Sequence, residues 1–94
     1  MKSIDFTQAA ECLKTLAHPN RLEIIYYLLA HPCASVGDIA SYCKLQSHVA
    51  SEHLSLMKDR GFLQSERQGR KVLYSIKESA LSSIMDCVKK KFTK

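Results

Sequence analysis

Between Ser35 and Arg60 the chain carries a pattern that few folds accommodate. Ser35-Val36-Gly37-Asp38 has the serine and acid spacing of a capping box and opens a helix of about eight residues. Lys44-Leu45-Gln46 makes a tight turn, and a second helix, from about Ser47 to Arg60, is stopped by Gly61 as a left-handed cap. A basic hairpin, Glu66-Arg67-Gln68-Gly69-Arg70-Lys71, follows almost at once. Helix, turn, helix and charged hairpin in that order are the parts of a winged helix-turn-helix, a shape that reads duplex DNA.

The rest of the chain fits one domain around that unit, and 94 residues suffice for one core, not two. A first helix is expected from about Ile4 to Ala17, with Phe6, Ala9, Ala10, Leu13, Leu16 and Ala17 on one face. His18-Pro19-Asn20 breaks it, and Pro19 suits the first turn of a second helix ending near Ala30. That helix is apolar almost all round (Leu22, Ile24, Ile25, Tyr26, Leu28, Leu29), so it belongs in the middle of the core. Leu63 to Arg67 and Lys71 to Ile76 read as two strands joined through Gln68-Gly69-Arg70. A last helix, Ser79 to Phe92, places Leu81, Ile84, Met85, Val88 and Phe92 on one stripe. The expected architecture for residues 1–94 is therefore mainly α: five helices with a two-stranded wing.

On a wheel at roughly 100° per residue, Ser47, His48, Ser51, Glu52 and Ser55 share one arc of the fourth helix. Val49, Ala50, His53, Leu54, Leu56 and Met57 fill the rest. Short donors and acceptors near a helix N-terminus suit base edges in a major groove about 12 Å wide, and Gln46 stands at its entry. Ser47 and the backbone N–H groups beside it suit a phosphate. The plain alternative is an ordinary solvated face. Arg67, Gln68, Arg70 and Lys71 at the hairpin tip can reach flanking phosphates or the adjacent minor groove. A basic hairpin alone is commonly just solvated surface; directly after a helix-turn-helix it becomes a wing. Glu52 has two readings: an acceptor for a cytosine amino group, or a rim charge that weakens affinity.

Bulk properties agree. The formal net charge is +5 with a sequence pI of about 9.1, and small basic proteins commonly meet nucleic acid. Apolar residues make up 46% of the chain, as in globular domains. The longest apolar stretch, near Leu22 to Ala30, is too short for a bilayer, and the N-terminus lacks an apolar signal core. A cytoplasmic location without membrane contact is expected. The four cysteines (Cys12, Cys33, Cys43, Cys87) then sit in a reducing compartment, and their spacings match no zinc pattern.

Four segments together resemble the ArsR/SmtB family of small bacterial repressors. They are Leu16-Ala17-His18-Pro19-Asn20-Arg21-Leu22-Glu23-Ile24, Ser35-Val36-Gly37-Asp38-Ile39-Ala40, Ala50-Ser51-Glu52-His53-Leu54 and Gly69-Arg70-Lys71-Val72-Leu73-Tyr74. The resemblance runs from about Phe6 to Val88. It implies a homodimer through the first and last helices, with Phe6, Ala9, Ala10, Leu13, Leu81, Ile84, Met85, Val88 and Phe92 at the interface. It also implies repression at an inverted-repeat operator, relieved by an inducer. Two apolar terminal stripes on so short a chain agree with a dimer. Ser47 and Glu52 depart from the family's usual amide and basic or amide residues, so its operator preference does not transfer.

Nor does a sensor transfer. Where metal-sensing relatives carry a Cys-x-Cys pair on the third helix this chain has Ser35 and Gly37, and no histidine follows His53 to build a site on the last helix. Sulfur-sensing relatives pair cysteines at the places held here by Tyr26 and about Thr93. No metal site or cofactor is assigned; His31 with Cys33 is a weak soft-metal pair, and Cys33 alone a redox thiol. Cys12 and Cys87 read as small core or interface residues, Cys43 as partly buried, His53 as a packed histidine. The inducer is unassigned. No phosphate loop, carboxylate pair or activated nucleophile suggests an enzyme. The rival reading is a winged-helix module that binds protein or RNA without an operator.

Overall fold

The computed structural model describes residues 3–94. The element order is α1 (Phe6–Leu16), α2 (Pro19–Ala30), β1 (Ala34–Ser35), α3 (Val36–Cys43), α4 (Ser47–Asp59), β2 (Leu63–Gln68), β3 (Lys71–Ile76) and α5 (Ala80–Phe92). The helix starts are set by side chains. Asp5 Oδ1 accepts from the Gln8 N–H (3.0 Å), so α1 opens at Phe6 and not at Ile4. His18 Nδ1 accepts from the Asn20 N–H (3.1 Å) with Pro19 inside the first turn of α2. Ser35 Oγ accepts from the Asp38 N–H (3.1 Å), as the capping spacing predicts.

Two backbone reversals shape the α3–α4 unit. Lys44 adopts the left-handed region (φ 57°), and the Leu45 N–H reaches back to the Ala40 carbonyl (2.9 Å), which closes the turn between α3 and α4. Gly61 (φ 85°) ends α4 in a Schellman motif, with Gly61 N–H bonded to Lys58 O and Phe62 N–H to Met57 O. The Phe62 and Met57 side chains join the core and complete that motif's apolar contact.

The sheet has three strands, in order β1-β3-β2, where the sequence led us to expect two. β1 pairs antiparallel with β3, Ala34 opposite Tyr74 and Ser35 opposite Leu73. Two residues are too few for periodicity to reveal; only the neighbouring β3 edge makes them a strand. The wing itself is longer than expected, since Gln68 pairs with Lys71 and leaves Gly69-Arg70 as a two-residue turn. The positive φ falls on Gly69 alone (62°), the pattern of a type II′ hairpin.

Ile24, Ile25 and Leu28 of α2 lie at the centre of the core, against Ile39, Leu54, Met57, Leu63, Tyr74, Leu81 and Met85. Each fully buried aliphatic side chain contributes roughly 1.5–3 kcal/mol. α1 stands apart: of its residues only Thr15 and Leu16 are buried. The Cα radius of gyration is 13.8 Å, where a compact chain of this length would have about 12 Å. Among the described residues no helix is long and apolar enough to cross a membrane.

Candidate nucleic-acid interface

α4 presents its inner face (Ala50, Leu54, Met57) to the core, which fixes which residues point outward. Ser47, His48, Glu52 and Ser55 are exposed and Ser51 is half-buried, all on the face that the wheel assigns to reading. Gln46 is the N-cap residue but makes no side-chain cap bond, and its carbonyl accepts from Val49 and Ala50. The first N–H groups of α4 therefore open toward an exposed, polar face, with the positive end of the helix dipole behind them.

Across the hairpin, Arg67, Gln68, Arg70 and Lys71 are all exposed. Arg67 Nε donates to the Gly69 carbonyl (3.3 Å), folding that guanidinium along the tip. Arg70 and Lys71 border a cleft with Ser35, Val36 and Gly37, so the wing cations and the start of α3 face the same solvent space.

The inner side of α4 holds a polar contact that the sequence reading did not single out. Arg21 Nε donates to His53 Nδ1 (3.1 Å) and Arg21 Nη1 donates to the Thr15 carbonyl (2.9 Å). The His18 ring lies 4.7 Å from that of His53, centroid to centroid. Burial, then His18 and Arg21, push the His53 imidazole below its ordinary range, while Glu52 pulls the other way. His53 is thus a packed histidine, as its place on the wheel suggested. The clue to Arg21 was its position two residues past the helix-breaking His18-Pro19, too weak a signal without the tertiary contact.

The terminal helices divide differently from the sequence reading. Phe6, Ala9, Ala10 and Leu13 are exposed, with Phe6 at 74% and Leu13 at 56%, and Phe92 is 68% exposed. Ile84 and Val88 are half-buried against the core. Leu81 and Met85 are 1% and 3% exposed within this chain, so they have no surface left to offer a partner. Periodicity groups them with Phe92 on one stripe, but α5 uses the inner edge of that stripe to pack on α2.

Of the thiols, Cys43 is buried and Cys12, Cys33 and Cys87 are exposed, so Cys12 and Cys87 are not core residues of this chain. Burial, with the Glu23 carboxylate beside it, pushes the Cys43 thiol up to about 11. The His31 ring stacks on Tyr27 (centroids 4.2 Å apart) and its Nδ1 lies 3.1 Å from the Tyr27 carbonyl. Among the described residues no group of three or more histidine, cysteine or acidic side chains is placed to hold a metal ion, around His31 and Cys33 or elsewhere. Tyr26 and Thr93 border one groove of about 240 Å³ between α2 and α5.

A helix-turn-helix with an exposed polar helix and a basic hairpin beside it defines a winged helix-turn-helix regulator. The family model for the bacterial regulatory protein arsR family matches residues 18–65, and the chain belongs to that family of DNA-binding transcriptional regulators. It is 38% identical to the HTH-type transcriptional regulator YgaV of Escherichia coli K12, over 87% of this chain and 83% of that protein. It is also 38% identical to the transcriptional repressor PagR of Bacillus anthracis, over 81% of this chain and 76% of that protein. The crystal structure of PagR superposes with a TM-score of 0.77, covering 88% of this chain and 94% of that one. The homodimeric winged helix-turn-helix domain of Mb0332 from Mycobacterium bovis, at 27% identity, also gives 0.77, over 89% of this chain and 77% of that one.

Proposed function

We propose that the protein is a homodimeric repressor that binds an inverted-repeat operator. α4 lies in the major groove, with Gln46, Ser47, His48, Ser51, Glu52 and Ser55 toward the bases and nearest phosphates. Arg67, Gln68, Arg70 and Lys71 of the wing hold the flanking backbone or minor groove. The observation that carries this is the exposed polar face of α4, beginning at an N-terminus with no side-chain cap and flanked by wing cations. The exposed apolar residues of α1, with Phe92, support the dimer: a monomer gains nothing from leaving Phe6 and Leu13 in water. PagR's role as a repressor and the homodimeric state of the Mb0332 domain point the same way. Two-fold symmetry puts the half-sites about 34–36 Å apart, one turn of B-DNA.

The test is a salt titration of duplex binding together with sedimentation of the free protein. A dimer whose affinity falls steeply with salt is the expected outcome, and Leu13→Asp should leave a folded monomer with weakened binding. Protein without salt-sensitive duplex binding would refute the reading.

A further inference from the structure

The side chain of Arg21 joins the helix that carries the exposed apolar residues to the helix that carries the reading face. From half-buried α2 it donates backward to Thr15 O at the end of α1 and across to His53 Nδ1 on the inner side of α4. α1 is otherwise loosely held, with only Thr15 and Leu16 buried. Whatever angle α1 takes relative to α4 therefore depends heavily on the contacts at this junction. We propose that Arg21 is a positioning residue that fixes the recognition helix relative to α1 through His53, and that proton uptake on the His53 ring releases this tie. The inference rests on the operator reading above, because it matters only if a dimer must hold two recognition helices at a set spacing.

The chemistry is one-directional. A guanidinium has donors only and stays charged at any accessible pH, so Nδ1 must present a lone pair and the ring must carry its single proton on Nε2. A second proton turns the acceptor into a donor facing a donor and sets a cation against a cation. The groups around the ring are Arg21 from α2, His18 from the α1–α2 junction and Glu52 from α4 itself. Only Glu52 favours the charged ring; His18, Arg21 and burial oppose it. The unfolded ring takes its proton near pH 6.5, about the ordinary histidine value, and the folded ring only at lower pH. The tie is thus intact above that pH and is lost as pH falls through the folded value.

The test uses a duplex selected from a random library against wild-type protein at about pH 7.5, with affinities measured there and at about pH 5.5. His53→Asn places an amide oxygen near the Nδ1 position, where it accepts from Arg21 but does not titrate. Wild type should lose about tenfold more affinity on acidification than His53→Asn, the lower end of what a hydrogen bond to a charged group is worth. His48 on the outer face is common to both proteins, so its contribution cancels in the ratio. Arg21→Ala should bind more weakly at both pH values and show no extra acid loss. Equal acid losses in wild type and His53→Asn overturn the proposal. Should either variant fail to fold, NMR of the wild type decides: the Arg21 Nε–H resonance must move and broaden as the His53 ring titrates, and a resonance indifferent to that titration overturns the tie. Wild type without duplex binding at the higher pH defeats the operator reading instead, while the NMR titration still judges the contact.

Discussion

Arg70→Ala gives the most quantitative access to the wing. Arg70 is exposed at the second position of the two-residue turn, beside Lys71. Removing it should leave folding intact, within about 0.5 kcal/mol. Each neutralised phosphate contributes about 0.9 to the slope of log affinity against log salt. A two-fold dimer carries Arg70 twice, so the slope should become shallower by about 1.8. Between 50 and 200 mM salt, a fourfold change, wild type should then lose about twelvefold more affinity than the variant. Fluorescence anisotropy on a labelled duplex over that range reads both slopes directly. If Arg70 meets the phosphate backbone, the shift should be the same on a selected site and on an unrelated duplex. An unchanged slope in a folded dimer would remove the wing from the DNA contact. A change of about 0.9 would mean that only one wing of the dimer engages.

Other outcomes follow from individual residues. Ser51→Ala should change sequence preference at one position by about 1 kcal/mol while leaving the salt slope alone, checked by repeating the selection with the variant. Leu54 is fully buried beneath the exposed polar face of α4, so Leu54→Ala should cost about 3–5 kcal/mol in urea unfolding; a loss below about 1 kcal/mol would contradict the packing of α4 on the core. In native protein Cys33 should react readily with a thiol reagent while Cys43, buried and pushed up to about 11, reacts only on unfolding. Mass-mapped labelling distinguishes the two.

Much of this molecule was legible in its sequence because its signals are local. The capping serine at Ser35, the proline after His18 and the glycine after Arg60 act within one or two turns of backbone, so α2, α3 and α4 fall within a residue of their expected bounds. The outward arc of α4 followed from periodicity alone, since the core can lie on only one side of a half-buried helix. Four-residue patterns likewise placed the wing.

What periodicity could not resolve was which apolar face meets which partner. Phe92 and Leu81 share a stripe in the sequence, yet one is exposed and the other buried, because Leu81 packs into the core at the start of α5 while Phe92 ends that helix on an open groove beside α2. β1 exists only through the edge of β3, some forty residues away in the chain. The Arg21–His53 contact joins residues 32 apart through a hydrogen bond whose direction depends on a proton, and no local pattern encodes it. Short-range hydrogen bonding and the 3.6-residue period made the helices, the wing strands and the outward polar face of α4 readable from the residues alone. How that face is held against α1 emerges only in the folded chain, because distant side chains meet once the core has set the angles between helices.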